Sequence, residues 1–162
     1  MESELLLHPF PPVWDNHSQI LILGTFPSVK SREVKFYYGN PRNRFWAVTA
    51  SLYGMDVPPS TEEKMRFLLT NGIALWDVGA SCRIRGSSDA SIADAKGNDV
   101  ASLLRQTSIN RIFTNGKTAK KLYDRLLSGE TGMDAVCLPS TSPANASWSL
   151  EQLCHAWEVI KS

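Results

Sequence analysis

Two kinds of apolar pattern alternate along this chain. Four short runs are largely apolar along their length: Ile20 to Leu23, Ile73 to Trp76, Arg111 to Thr114 and Ala135 to Leu138. Between them, apolar residues recur at helical spacing. Phe45, Val48, Thr49 and Leu52 share one stripe. Met65, Leu68 and Leu69 share another, opened by Ser60 with Glu63 at capping-box spacing and closed by Gly72. Val100, Leu103 and Leu104 follow Asn98, and Leu122, Tyr123, Leu126 and Leu127 follow Gly116. A last stripe, Leu150, Leu153, Cys154 and Trp157, follows Ser149, which has a glutamine three residues on. Strands apolar throughout are buried on both faces, and their alternation with helices predicts an α/β fold with a parallel sheet covered on each side. The polar, Gly/Ser-rich stretch from Ser81 to Gly97 reads as the longest loop.

Composition narrows the class without naming it. A chain of 162 residues fits one domain, 1–162, with 1–18 as an N-terminal extension ahead of the first strand. Hydrophobic residues make up 43% and charged residues 20%, as in a globular protein. No apolar run approaches the ~20 residues that span a bilayer, and Met1 to Leu7 lacks the basic start of a signal peptide. The scattered Cys82, Cys137 and Cys154 form no metal-binding spacing and point to a reducing, cytoplasmic setting. A net charge of +1 leaves nucleic acid open as a partner, since binding needs only a local basic surface.

The residues beyond the four runs carry the chemistry. Gly24-Thr25-Phe26-Pro27-Ser28 follows the first, Asp77-Val78-Gly79-Ala80-Ser81 the second, Asn115-Gly116-Lys117-Thr118 the third, and Pro139 to Asn145 the fourth. Ligands of open parallel sheets bind beyond the carboxyl ends of the strands, where these clusters would meet. Turn chemistry alone accounts for any one of them. It does not account for the connection Phe36 to Trp46, which interleaves aromatics with asparagines and with Arg42 and Arg44, as suits a stacked base beside phosphates. No GxGxxG or GxxxxGK[ST] follows the first run, which argues against a nucleotide-cofactor enzyme.

Three segments then resemble one family. Gly24 to Ser28 is similar to the first motif of the uracil-DNA glycosylase superfamily, a Gly-x-Asp/Asn-Pro loop. Tyr38 to Trp46 resembles the segment ending Asn-Arg/His-Phe-Trp in mismatch-specific uracil-DNA and thymine-DNA glycosylases. Leu138 to Asn145, LPSTSPAN, resembles their second motif. Within the superfamily the runs FPS, YYGNPRNRFW and LPSTSPAN look like the deoxyinosine (hypoxanthine) branch. The resemblance implies a three-layer α/β/α sandwich with a four-stranded parallel sheet in order 2-1-3-4. It implies a monofunctional base-excision glycosylase, without metal or cofactor, acting on DNA with hypoxanthine or, alternatively, uracil or xanthine. The enzyme is expected to be a cytoplasmic monomer, nucleoid-associated when on DNA.

Departures from the wider pattern decide the roles carried over. Phe26 stands where the superfamily has a water-activating Asp or Asn, and Ser140 where it often has His or Asn. The asparagine that reads uracil at the end of the second strand is missing, with Leu75 and Trp76 in that neighbourhood. Asn40 is the candidate to hold the water, its other reading being a turn residue ahead of Pro41. Ser140 and the backbone amides of Thr25 and Phe26 would face the departing base, with Gly24 and Asn115 beside it. Tyr38 would stack on the base, and Phe26 would cover a further face or belong to the core. Asp77 is either a second polar group in the site or a helix-side cap. Ser28, Arg42, Asn43, Arg44, Thr141, Ser142, Pro143 and Asn145 are expected along the DNA, with Lys30 and Lys117 adding charge. Ala144 stands where relatives carry a wedge. Arg83, Arg85 and Asp89 would approach DNA or purine from the long loop. His8, His17 and His155 lie outside the motifs. The altered catalytic positions keep a second class open, a damaged- or single-stranded-DNA-binding module on the same fold.

Overall fold

Leu21 and Leu23 point to one apolar core and Ile20 and Ile22 to another, because successive side chains of a strand face opposite ways. That strand is β2 (Ile20–Gly24) of a computed structural model describing residues 4–84 and 93–162. It pairs in parallel with β3 (Ile73–Asp77) on one side and β6 (Arg111–Asn115) on the other, and β6 pairs with β7 (Ala135–Leu138). The resulting sheet has the order β3-β2-β6-β7, which is 2-1-3-4 for the four runs read from sequence. One face packs against α2 (Phe45–Leu52), α3 (Thr61–Thr70) and α7 (Leu150–Trp157) through Phe45, Phe67, Leu68, Leu153 and Trp157. The other face packs against α4 (Val100–Arg105) and α5 (Lys117–Leu126) through Val100, Leu103, Leu122 and Tyr123. This is the expected three-layer sandwich.

The helix boundaries have local causes. Ser60 accepts the amide of Glu63 and Ser149 that of Gln152, whose side chain returns the bond, so α3 and α7 open on side-chain caps. Within α3 the inward stripe is Phe67 and Leu68, whereas Met65 is exposed. A short α1 (Val29–Val34) and a single turn, α6 (Ser128–Thr131), add to the expected helices.

The stretch from Ser81 to Gly97 departs from expectation. Instead of one loop it contributes to β4 (Gly79–Ile84) and β5 (Ala93–Gly97), which pair antiparallel, with β1 (Glu4–Leu7) on the far edge of β4. As long as the parallel strands, β4 and β5 are rich in small and polar residues and carry no apolar run to mark them, so their composition reads as loop. Arg85 and Asp89 lie outside the described residues, and Arg83 belongs to β4. The expected N-terminal extension is stitched to both sheets: the His8 amide donates to Ala80 and Val13 exchanges two backbone bonds with Leu75. No helix among the described residues is long and apolar enough to cross a membrane.

Candidate active site

The ends of β2, β3, β6 and β7 open into one cleft of about 1220 Å³, larger than a typical small-ligand pocket of roughly 300–1,000 Å³. Three of the strand-end clusters line it and the second reaches it through Asp77, so the sheet brings together the segments singled out by sequence.

At the floor, Gly24 pairs in register with Asp77 across β2 and β3. A methyl group on Gly24 would overlap Oδ1 of Asp77 and come within 3.3 Å of the Tyr38 hydroxyl, so only glycine admits both. The strand-end position is therefore Asp77, one residue beyond the Leu75–Trp76 neighbourhood expected from sequence. Asp77 is not a helix cap: its Oδ2 meets Nε2 of His8 at 2.8 Å. Its backbone carbonyl accepts from the Asn98 carboxamide.

Tyr38 sits in the left-handed region at φ 53°, which costs a non-glycine residue roughly 1–2 kcal/mol. Stacking on Phe45 at 4.2 Å holds the ring, and the next amide, Gly39, donates to Ser31 Oγ. Its hydroxyl is buried without a hydrogen-bond partner among the described residues. Burial first and the nearby Asp77 second push it well above the ordinary tyrosine range, with Asn115 opposing weakly. The hydroxyl therefore stays protonated, a donor left unpaired at the floor. The other aromatics of the connection have a different job. Phe36, Tyr37, Phe45 and Trp46 are core residues, so of the aromatics in this run Tyr38 alone is left to face a base.

A second network fixes the wall. Asn115 donates to Thr141 Oγ1 at 2.9 Å and accepts the Thr141 amide at 3.0 Å, and Thr141 donates on to Asn43 Oδ1 at 2.7 Å. Asn43 also accepts the Phe45 amide. Thr141 is fully buried and its carbonyl takes the Arg44 amide, so the expected phosphate contact gives way to a structural role. Arg44 is corrected in the same way: its guanidinium donates to the carbonyls of Asn145 and Trp148 and clamps the loop after β7. Arg42 is exposed and stands outside the lining.

Within that loop, Ser140 Oγ accepts the Ser142 amide, Ser142 Oγ accepts the Ala144 amide, and Asn145 donates to the Ser140 carbonyl. Gly116, at φ 96°, lets α5 start against Ser140, where a Cβ would meet the serine Cβ at 3.1 Å. Ala144 is exposed at the rim beside Trp148, and Pro143 lines the cleft with them. Across the mouth, Ser28 caps α1, Lys30 pairs with Glu33 at 3.5 Å, and Lys117 is exposed. The amides of Thr25 and Phe26 donate to no acceptor among the described residues, while the Thr25 carbonyl takes the Gly79 amide. Phe26 is buried against Cys82 and still lines the cleft. Asn40 lines it too; its Oδ1 accepts the Arg42 amide at 2.9 Å, leaving one lone pair and the amide hydrogens.

Sequence reading missed His8. Its ring reaches the site from beyond β1, and its partner lies 69 residues along the chain, so no local motif marks it.

Residues 11–161, which hold the parallel sheet and both loops at the cleft, match the family model of the uracil DNA glycosylase superfamily. The chain belongs to that superfamily. It is 37% identical over 153 residues to the hypoxanthine DNA glycosylase of Methanosarcina acetivorans, covering 93% of this chain and 95% of that one. It is 34% identical over 139 residues to the hypoxanthine DNA glycosylase of Methanosarcina barkeri, covering 84% and 86%. The solution NMR structure of a Methanosarcina acetivorans protein, provisionally described as a uracil DNA glycosylase, superposes with a TM-score of 0.80 at 33% identity. That match covers 98% of this chain and 100% of the other.

Proposed function

We propose that this chain is a monofunctional DNA glycosylase that removes hypoxanthine from deoxyinosine in DNA and leaves an abasic site. The observation that carries the reading is the floor of the cleft, where an unpaired donor on Tyr38 and a carboxylate oxygen of Asp77 share the space above Gly24. In the reaction a water oxygen bonds to the sugar C1′, and the bond to the base nitrogen breaks with its electron pair leaving on the base. The base and the water's lost proton then leave as neutral hypoxanthine. The nucleotide must first leave the helical stack, at a cost of a few kcal/mol.

Asn40 holds the water through its remaining lone pair. The Thr25 and Phe26 amides and the Ser140 hydroxyl face charge developing on the base. The loop Ser140 to Asn145 and the basic mouth around Lys30 and Lys117 take the flanking phosphates. Tyr38, its ring already stacked on Phe45, turns its hydroxyl edge to the base in place of the stacking expected from sequence. Tyr38→Ala is then expected to lose roughly 1–3 kcal/mol of transition-state binding, the cost of leaving the base's carbonyl without its donor. Single-turnover excision checks this, and full activity in the alanine variant would return Tyr38 to a purely structural role.

Phe26 in place of the usual carboxylate or carboxamide favours a second reading, a binding module without chemistry. Incubation of a deoxyinosine oligonucleotide with the protein, followed by hot alkali, separates them. A strand break at the deoxyinosine supports the enzyme, and retention of intact DNA in a stable complex supports the module.

A further inference from the structure

His8 stands apart from every motif, yet its side chain is only 5% exposed and that of Asp77 only 6%. The ring lies among Phe10, Phe26 and Tyr37, with centroids at 4.8, 5.9 and 6.0 Å. Its two nitrogens have unlike partners. Nδ1 lies 2.7 Å from the Phe10 carbonyl, which can only accept, so Nδ1 carries a hydrogen. In a neutral imidazole the other nitrogen would then be an acceptor. It faces Oδ2 of Asp77 at 2.8 Å, which in a carboxylate is an acceptor as well. Two lone pairs do not sit at that distance in a buried site. The contact needs one proton between them, on the ring or on the carboxyl.

That proton fixes which way Asp77 presents itself. With Oδ2 engaged by His8, Oδ1 is left above Gly24 as an acceptor, close to the Tyr38 hydroxyl. The hydroxyl makes no hydrogen bond among the described residues, and the nearby Asn115 carboxamide bonds Thr141 through both its nitrogen and its oxygen. An acceptor and a donor side by side match the N1–H and C6=O edge of hypoxanthine. Adenine, the parent base, presents the reverse pattern, with an acceptor at N1 and a donor at N6.

We propose that His8 is a positioning residue for base recognition: by sharing a proton with Asp77 it holds Oδ1 beside the Tyr38 hydroxyl, where the two read the N–H/C=O edge of a lactam base. This rests on the proposed excision of hypoxanthine and assigns its selectivity over adenine to a residue of the N-terminal segment. The titratable groups packed about the pair are the Tyr37 and Tyr38 hydroxyls, both kept neutral by burial, with the Cys82 thiol buried behind Phe26. Tyr37 donates to the Pro11 carbonyl and so braces the segment that carries His8.

Two variants isolate the bridging proton. His8→Phe keeps an aromatic ring in the pocket but has no proton to share. His8→Gln can donate an amide hydrogen to Oδ2 at every pH.

Single-turnover excision of deoxyinosine is measured for the wild type and both variants, with thermal melting as the folding control. His8→Phe is expected to lose at least about tenfold in kmax/K½, the scale of a hydrogen bond to a charged group. His8→Gln is expected to recover most of that loss. A purely structural role for the imidazole ring would not be rescued by a side chain that restores only the donor. Nitrogen NMR of His8 in the wild type, at the pH of fastest excision, should show Nδ1 protonated and a second proton bridging to Asp77. A ring protonated at Nδ1 alone, with no proton between Nε2 and Asp77, overturns the proposal even if a variant misfolds. Wild-type rates in a folded His8→Phe, or no recovery in a folded His8→Gln, overturn it too. A wild type that leaves deoxyinosine intact removes the proposed function and this assignment together, whereas a cutting wild type with indifferent variants removes only the latter.

Discussion

Asn40→Ala is expected to slow single-turnover excision of hypoxanthine by about 10²-fold or more, the range for losing one positioned polar group at the reacting atoms. Phe26 cannot orient a water, so the task falls to a polar side chain elsewhere on the lining, and Asn40 has a lone pair to offer. The same side chain also closes a turn by accepting the Arg42 amide, and loosening that turn would slow the reaction by another route. Asn40→Asp distinguishes the two. A carboxylate keeps the bond to the Arg42 amide and can orient the same water, so partial activity should survive. Binding of deoxyinosine DNA should change little in either variant, since extrusion and phosphate contacts remain. If Asn40→Ala melts normally and excises at the wild-type rate, the water is held by another group. Asp77 and Asn115 are then the next to test, the latter keeping one hydrogen and one lone pair beyond its two bonds to Thr141.

A larger loss, of stability, is expected at Trp157. Its side chain is fully buried, edge-on to Phe45 at 5.9 Å, and its indole donates to the Pro139 carbonyl at 2.9 Å. Trp157→Ala removes that packing and leaves a cavity under the loop after β7, at a cost of about 3–5 kcal/mol. Trp157→Phe keeps part of the packing and leaves the Pro139 carbonyl without its donor, for roughly 1–3 kcal/mol. Denaturant midpoints at constant slope measure both. A loss below about 1 kcal/mol for the alanine variant would show that α7 is not anchored through this residue. Since Pro139 opens the loop that lines the cleft wall, excision by Trp157→Phe should fall with the loop's order rather than through lost contact with DNA.

The parallel sheet was legible because burial on both faces leaves a mark in sequence. Ile20, Leu21, Ile22 and Leu23 are all buried, and a short uninterrupted apolar run is what a strand without a solvent face requires. The antiparallel strands β4 and β5 left no such mark, since Ser81, Lys96 and Gly97 do not read as core, and β1 carries three leucines of which Leu5 and Leu7 are exposed. The strand-end clusters were legible as chemistry because turn residues gathered where a ligand would sit. Their division of labour was not. Thr141, Asn43 and Arg44 look like DNA contacts in sequence, yet their polar atoms bind one another's loops, and only three-dimensional neighbours decide that. Phe36, Tyr37, Phe45 and Trp46 likewise resemble a stacking platform in sequence and belong to the core in space. His8 was invisible because its significance depends wholly on Asp77, on a strand it does not adjoin in sequence.

The most direct measurement is single-turnover excision across matched oligonucleotides carrying hypoxanthine, xanthine, uracil or adenine at one position, with abasic sites scored by alkaline cleavage. A hypoxanthine glycosylase with a lactam-reading floor should release hypoxanthine fastest and leave adenine in place. Release of uracil ahead of hypoxanthine, or tight binding of deoxyinosine DNA with no abasic site formed, would contradict it.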